Sequence, residues 1–306
     1  MNAVESTGLG KRYGRTWALR DCTLAIPAGH VVALVGPNGA GKTTLLHLAV
    51  GLATPTSGRI AVLDGLAAGS TAALERVGFV AQDAALYAGL SVADMLRLTR
   101  DLNPRWDEDW ARRRMAELAI PLDRKVGKLS GGQHAQVALA AVLAKRPELV
   151  VLDEPVARLA PLARHEFMAA LMAAVAEDGL SVVFSSHVVS ELERVCDYLI
   201  VLTAGQMQVA GEVDDLVAGH RVLVGPAAEK QRVEDRFPVV RASLSERQAQ
   251  VLVRVNERRP EAPPLGWEEQ AVGLEELVLA YLREPAARAL PGAVPLDDDP
   301  WSEVAL

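Results

Sequence analysis

The sequence is short of cysteine, of aromatic residues and of positive charge, and it has no long apolar run. Cys22 and Cys196 are its two cysteines among 306 residues. Isolated thiols make neither a disulfide framework nor a zinc site. Both read as small buried hydrophobes, which fits a reducing, cytoplasmic setting. Aromatic residues make up 4% of a chain that is 50% hydrophobic, so the core must be built from Leu, Val, Ala and Ile. The net charge of −7 argues against a generic nucleic-acid binder, which carries a basic balance. No apolar stretch approaches the ~18 residues that span a bilayer; the longest, Phe167 to Ala176, reaches about half of that. A charged N-terminal region followed by an apolar run is missing, so no signal peptide is expected. A role at a membrane would need another chain to do the spanning. Internal repeats of about 20–50 residues are missing too.

What is present centres on Val31-Val32-Ala33-Leu34-Val35 and the segment after it, Gly36-Pro37-Asn38-Gly39-Ala40-Gly41-Lys42-Thr43-Thr44. The β-branched run reads as a buried strand. The segment fits the phosphate-binding loop G-x-x-x-x-G-K-[ST], and Leu45 to Val50 reads as the helix that must follow. Gly36, Gly39 and Gly41 are expected to give positive φ, so that several N–H groups turn into one concave nest. That nest opens onto a helix N-terminus, which favours anions. Lys42 supplies a mobile positive charge, and the Thr43 hydroxyl is placed to ligate Mg²⁺. The chain is therefore expected to bind a nucleoside triphosphate.

The remaining chain supplies candidates of lower specificity. Residues 1–29 read as β up to the turn at Pro27-Ala28-Gly29. Tyr13, upstream of the loop, is either an ordinary strand aromatic or a platform for a purine ring. Strands are expected over Arg59 to Leu63 and over Val77 to Gln82, with Gln82 either solvated or within reach of a metal. Residues 83–147 turn helical: Leu90 to Leu102 behind a Ser91 cap, Trp106 to Leu118 with Trp106 and Trp110 as a packing stripe, and His134 to Lys145. Ahead of the last helix, Ser130-Gly131-Gly132-Gln133 is either a second anion nest or a plain cap with a flexible approach. Leu149 to Leu152 is a buried strand that delivers Asp153 and Glu154 to its carboxyl end, where open α/β sheets hold ligands. One acid can hold Mg²⁺ and the other can orient or deprotonate a water. A helix over His165 to Glu177 precedes the strand Ser181 to Ser186. That strand ends at His187, which either satisfies a local hydrogen bond or contacts a γ-phosphate. A helix Val188 to Val195 and a hairpin, Tyr198 to Leu202 with Met207 to Ala210, follow. Beyond Gly219, short strands (Arg221 to Val224, Val239 to Leu244, Val251 to Val255) and an amphipathic helix, Leu274 to Arg283, suggest a small α+β extension.

Leu129-Ser130-Gly131-Gly132-Gln133, standing between a phosphate loop and Val150-Val151-Leu152-Asp153-Glu154-Pro155, resembles the ATP-binding subunits of ATP-binding-cassette (ABC) transporters over residues 3–217. The resemblance implies an α/β fold, a P-loop NTPase of ABC type with an N-terminal antiparallel β-subdomain, a helical subdomain and a small C-terminal α+β extension. The implied ATP-binding domain covers 1–219, with its helical subdomain at about 83–147; the short strands and amphipathic helix beyond it make an extension at 220–285, and the prolines and Asp297-Asp298-Asp299 suggest a disordered tail at 286–306. It implies that Tyr13 stacks on adenine and that Gly36, Pro37, Asn38, Gly39, Ala40, Gly41, Lys42, Thr43 and Thr44 hold the phosphates. Thr43, Gln82 and Asp153 would then serve Mg²⁺, Glu154 would activate water, and His187 would hold the γ-phosphate. Two cassettes would dimerise head to tail, so that Ser130, Gly131, Gly132 and Gln133 reach the ATP of the other copy. The partners implied are a separate transmembrane permease subunit and a second cassette, identical or not, at the cytoplasmic face of the membrane; no nucleic acid is expected.

The Gly273-Leu274-Glu275-Glu276-Leu277 helix looks like the extension of cassettes from bacterial multidrug and antibiotic exporters, and export is the expected direction. Two departures stand out. Ala160 occupies a position where the family usually has aspartate, and Arg158 a usual glycine, which puts coupling between the two ATP sites in question. His134-Ala135 replaces a common Arg-Gln after the signature. The alternatives are a soluble ABC ATPase with a non-membrane partner, and a cassette whose hydrolysis is weakened by Ala160.

Overall fold

Strands β1 (Asn2–Tyr13) and β2 (Thr16–Pro27) pair antiparallel along their length. In β2, Cys22, Leu24 and Ile26 point inward at every second position, the period that half-buries a strand. On the other side of β1 lies β4 (Ser57–Val62), followed by β5 (Leu66–Ala67), which gives the order β2-β1-β4-β5. The computed structural model describes residues 1–84, 86–186, 195–255, 262–285 and 287.

The second sheet contains β3 (Val31–Val35), β6 (Val77–Val80), β7 (Leu149–Leu152), β8 (Ser181–Ser186), β9 (Tyr198–Thr203) and β10 (Gln206–Glu212) in the order β10-β9-β3-β8-β7-β6. Neighbours are parallel except β9 and β10, which form an antiparallel hairpin. β3, β7 and β8 are buried at every position, as parallel strands covered on both faces must be. Successive residues alternate between faces. Val32, Leu34 and Val151 join the core under the first sheet and α1 (Lys42–Ala49). Ala33, Val35, Val150 and Leu152 join the core shared with α5 (Gly131–Leu143) and α6 (Pro161–Asp178). A short helix, α2 (Thr71–Arg76), precedes β6.

The stretch 83–147 is helical, as its periodicity suggests. α3 (Val92–Asp101) and α4 (Glu108–Glu117) pack with α5 around Val92, Leu96, Met115, Ile120 and Val137. Trp106 and Trp110 lie half-buried against this cluster, the packing role expected of them. The helix boundaries are set by caps. α4 starts two residues later than periodicity predicts because the Asp107 carboxylate accepts the Trp110 N–H at 2.8 Å. α5 starts three residues earlier because Ser130 and Gln133 form a reciprocal capping box, which draws both glycines into the first turn. α6 begins at Pro161 rather than His165, since proline at the first helical position has the right φ and loses no bond.

Residues after the hairpin form α7 (Val213–Ala218), β11 (His220–Pro226), α8 (Lys230–Glu234), β12 (Val239–Leu244), β13 (Gln248–Arg254), β14 (Glu268–Ala271) and α9 (Leu274–Arg283). The four strands make an antiparallel sheet in the order β12-β13-β11-β14. Leu223, Val233, Phe237, Val251 and Trp267 fill one side of it. The other side, with Leu277, Val278 and Tyr281 of α9, merges into the core that contains Leu199 and Val209 of the central sheet. α7, α8 and β14 are not foreshadowed by periodicity. The helix expected over Val188 to Val195 lies outside the described residues except for Val195, and the tail at 286–306 except for Ala287.

Candidate active site

The carboxyl ends of β3, β7 and β8 lie side by side, so the chain segments that leave them share one end of the sheet. The loop after β3 leads into α1 with Gly39 at φ 81° and Gly41 at φ 106°, a left-handed backbone that side chains resist. Gly36 departs from expectation: it is absent from the positive-φ glycines. Its requirement is space, because a Cβ there would stand 2.2 Å from the Leu202 carbonyl oxygen. The loop is braced from outside as well, by the Gly205 N–H donating to the Ala40 carbonyl at 3.0 Å.

A cavity of about 480 Å³ opens over this loop, lined by Tyr13, Ala18, residues Asn38 through Thr44, Gln82 and Glu154. Of the residues singled out in the sequence, it brings together the aromatic, most of the phosphate loop, the glutamine after β6 and one acid after β7. Tyr13 is 53% exposed, and the Lys11 ammonium sits 5.1 Å from its ring centroid, so one face of a flat, electron-rich ring meets a cation. Ala18 is a wall residue that no sequence signal marks.

The charges are held at close quarters. Lys42 is 6% exposed and its Nζ donates to the Gly36 carbonyl at 2.8 Å and to that of Pro37 at 3.4 Å. The same Nζ lies 3.4 Å from Oε1 of Glu154, whose side chain is 13% exposed. Buried charges persist when paired and hydrogen-bonded, and here the loop's own carbonyls and the acid share that work. Glu154 sits at φ +46°, a conformation non-glycine residues rarely adopt and one that clusters at functional sites. Asp153 is 2% exposed. Ser185 of β8 holds the two acids in register: its hydroxyl donates to Asp153 Oδ1 at 2.7 Å and accepts the Glu154 N–H at 2.8 Å. The sequence reading missed Ser185, although a serine inside an apolar strand run is itself a signal, since buried hydroxyls need partners.

The donor set suits a small hard cation served by substrate phosphates. Mg²⁺ takes one or two carboxylates, a hydroxyl and several waters rather than an all-protein cage. Asp153 and the Thr43 hydroxyl are of that kind, and no cluster of three or more His, Cys, Asp or Glu occurs among the described residues. His187 lies outside the described residues.

Ser130, Gly131, Gly132 and Gln133 are not part of this cavity. They form the first turn of α5, exposed or half-exposed, with the Ser130 side chain accepting the Gln133 N–H and the Gln133 side chain accepting the Ser130 N–H, both at 3.2 Å. A capped helix start of this kind still offers free N–H groups and a positive dipole end to solvent. Burial pushes the His134 imidazole below its ordinary value, so at neutral pH it adds no charge to that helix start.

Residues 19–157 match the family model described as ABC transporter. A sulfate/thiosulfate import ATP-binding protein of Agrobacterium fabrum is 36% identical over 222 residues, which is 70% of this chain and 64% of that protein. Its Escherichia coli K12 counterpart is 35% identical over 223 residues, 70% of this chain and 61% of that one. The chain thus spans less than two thirds of the length of these relatives. Among solved structures, cbiO1 of Clostridium perfringens, part of an ABC transporter complex, superposes with a TM-score of 0.61 at 28% identity, over 77% of this chain and 95% of that one. A dimeric ATP-binding cassette in a post-hydrolysis state with ADP and phosphate superposes at 0.60 with 26% identity, over 68% of this chain and 98% of that one.

Proposed function

We propose that the chain, whose residues 19–157 match the ABC transporter family model, is the ATP-hydrolysing subunit of a membrane transporter. The observation that carries this reading is the meeting of Lys42 and Glu154, 3.4 Å apart, at a glycine-shaped loop beside the buried Asp153. Lys42 exchanges its carbonyl partners for the outer phosphates of ATP, and the N–H groups of the loop take the others. Glu154, no longer engaged by Lys42, orients and deprotonates the attacking water. Thr43, Asp153 and Gln82 hold Mg²⁺, which neutralises charge on the phosphates when bound. Tyr13 stacks on adenine, and His187 takes the γ-phosphate.

The cavity is half of the working site. The Ser130–Gln133 turn of a second cassette closes it, offering a helix N-terminus to the γ-phosphate only while ATP is bound. ATP therefore joins two cassettes and hydrolysis separates them. The cycle drives a separate permease subunit, docked through residues 83–147, at the cytoplasmic face; no described helix is long and apolar enough to cross a membrane. The division of labour follows the sequence: a catalytic domain at 1–219 and an extension at 220–285.

Direction is the finer part of the proposal. The Gly273–Leu277 helix resembles that of exporters and favours export. The sulfate/thiosulfate relatives are named as importers, which favours import for the shared 70% of the chain. Transport assays in oriented vesicles with the co-expressed permease separate the two, since an exporter loads inside-out vesicles when ATP is outside. For the catalytic reading the test is Glu154→Gln. It should abolish turnover and accumulate an ATP-bound dimer on size exclusion. A parent chain without ATPase activity that the substitution leaves unchanged would sink hydrolysis and leave an ATP-binding regulator, the reading that Ala160 favours.

A further inference from the structure

We propose that Gln208 is a positioning residue that ties the end of α9, in the C-terminal extension, to the phosphate loop through the β9–β10 hairpin. The register of that hairpin carries one extra residue. Met207 pairs with Leu202, but Val209 pairs with Val201, so Gln208 occupies a β-bulge. Bulges re-aim a side chain, and this one sends an amide into the interior, where Gln208 is 1% exposed. A buried amide is costly unless its donor and acceptor are both engaged. Here each end has a partner. Oε1 accepts from the Thr203 hydroxyl at 2.7 Å, and Nε2 donates to the Glu284 carbonyl, just past α9, at 3.1 Å.

The Thr203 end leads directly to the nucleotide loop. Ala204 and Gly205 turn with φ of 50° and 74°, the backbone of a two-residue hairpin turn. The Gly205 N–H donates to the Ala40 carbonyl at 3.0 Å, and its carbonyl accepts the Arg20 N–H at 2.8 Å. Leu202 supplies the carbonyl against which Gly36 packs without room for a Cβ. One rigid hairpin thus touches the phosphate loop at Gly36 and Ala40 and the extension at Glu284. Seating of α9 is felt in the loop as a fixed position of the hairpin, and its loss as a looser nest. The effect is on binding of ATP rather than on the chemical step.

The inference rests on this loop being the ATP site, and the full-length chain tests both. The probe is a non-hydrolysable ATP analogue with Mg²⁺, titrated calorimetrically alongside steady-state ATPase kinetics. Gln208→Met keeps length and volume and removes both bonds. It should raise Kd and KM for ATP roughly three- to tenfold and leave kcat within about twofold of the parent. Thr203→Val, which removes the near half of the link, should move Kd the same way by a smaller factor; it decides the matter if Gln208→Met does not fold. Val233→Ala, in the core on the other side of the extension sheet from α9, should lower the melting temperature and leave Kd unchanged. A folded Gln208→Met that binds like the parent overturns the proposal. So does a Val233→Ala that weakens binding equally, because the extension would then act through general stability. A parent that binds no analogue overturns the ATP reading along with it.

Discussion

Ser185 makes the clearest demand on a single side chain. Its hydroxyl is the common partner of the buried Asp153 carboxylate and the Glu154 N–H, and Glu154 stands in a strained left-handed conformation. Hydrogen bonds to charged groups are stronger than neutral ones, and a buried group left unpaired costs the full desolvation penalty. Ser185→Ala should therefore reduce kcat about tenfold, and Ser185→Thr should recover part of it by restoring a hydroxyl; stopped-time phosphate release measures both. An alanine variant with parental kcat would mean that the strand ends alone fix the two acids. The contrast with Lys42 and Glu154 shows what a sequence can disclose at this scale. The phosphate loop is one contiguous stretch whose spacing carries its chemistry. Asp153 and Glu154 end a visible strand. Ala18 and Gly205 enter the site only because distant segments are brought together, and no local spacing announces that; Ser185 is marked only by being a polar residue in an apolar strand. Gly36 shows a further limit: its glycine was expected for φ, but the reason is the Leu202 carbonyl.

Among the elements, α6 starts without a side-chain cap. Its cap position is Ala160, at φ −62° and ψ 154°, with no side chain to accept a first-turn N–H. Ser91, Asp107 and Ser130 perform that task for α3, α4 and α5. The Ala160 backbone already has the extended geometry a capping residue adopts, so Ala160→Asp needs no rearrangement. The new carboxylate should cap α6 and meet its dipole, adding about 1 kcal/mol and raising the melting temperature by roughly 2–4 °C in a thermal scan at pH 7. An unchanged midpoint would mean that the first-turn N–H groups of α6 already have partners. The same capping logic explains which elements were legible. Helices with a polar cap and a three-to-four residue apolar period were visible in advance, and parallel strands were visible as unbroken β-branched runs. β14 was not, because Glu268-Glu269-Gln270-Ala271 is exposed throughout and has no alternation; its strand state comes from pairing with β11. α7 and α8 are six and five residues long, too short to show a period. The Gly131-Gly132 pair read as an approach to α5 because glycine disfavours helix interiors, yet the capping box overrides that preference.

Among the described residues, two further side-chain joints help to stitch the molecule together. At one, Arg146 bonds Asp107, the cap of α4, and Asp178 at the end of α6, with its guanidinium 5.6 Å from the Trp110 ring centroid. This anchors the helical region to the central core. At the other, His220 at the start of β11 lies 4% exposed between α7 and α9. Its Nδ1 is 2.6 Å from the Leu216 carbonyl and its Nε2 is 2.8 Å from the Tyr281 hydroxyl. A carbonyl only accepts, so Nδ1 carries the proton and neutral Nε2 accepts from Tyr281. Burial pushes the His220 imidazole below its ordinary value; the Leu216 carbonyl opposes that, and Arg254 and Arg221 reinforce it. Burial also pushes the Tyr281 hydroxyl up to about 12, so the tyrosine stays a donor through the physiological range. The linkage follows from these directions. The unfolded chain binds a proton at His220 near the ordinary imidazole value of about 6.5, and the folded chain only at lower pH. Stability is therefore complete above that value and falls as pH drops below it toward the depressed folded pKa. Chemical denaturation at intervals from pH 7.5 to about pH 5 should show a declining midpoint in the parent. His220→Phe removes the titrating group, so its curve should start lower, for want of the two hydrogen bonds, and run flatter over the same interval. Parallel curves would locate the pH dependence elsewhere and leave His220 as packing alone, and the joint would then hold the extension in place equally at both ends of that range.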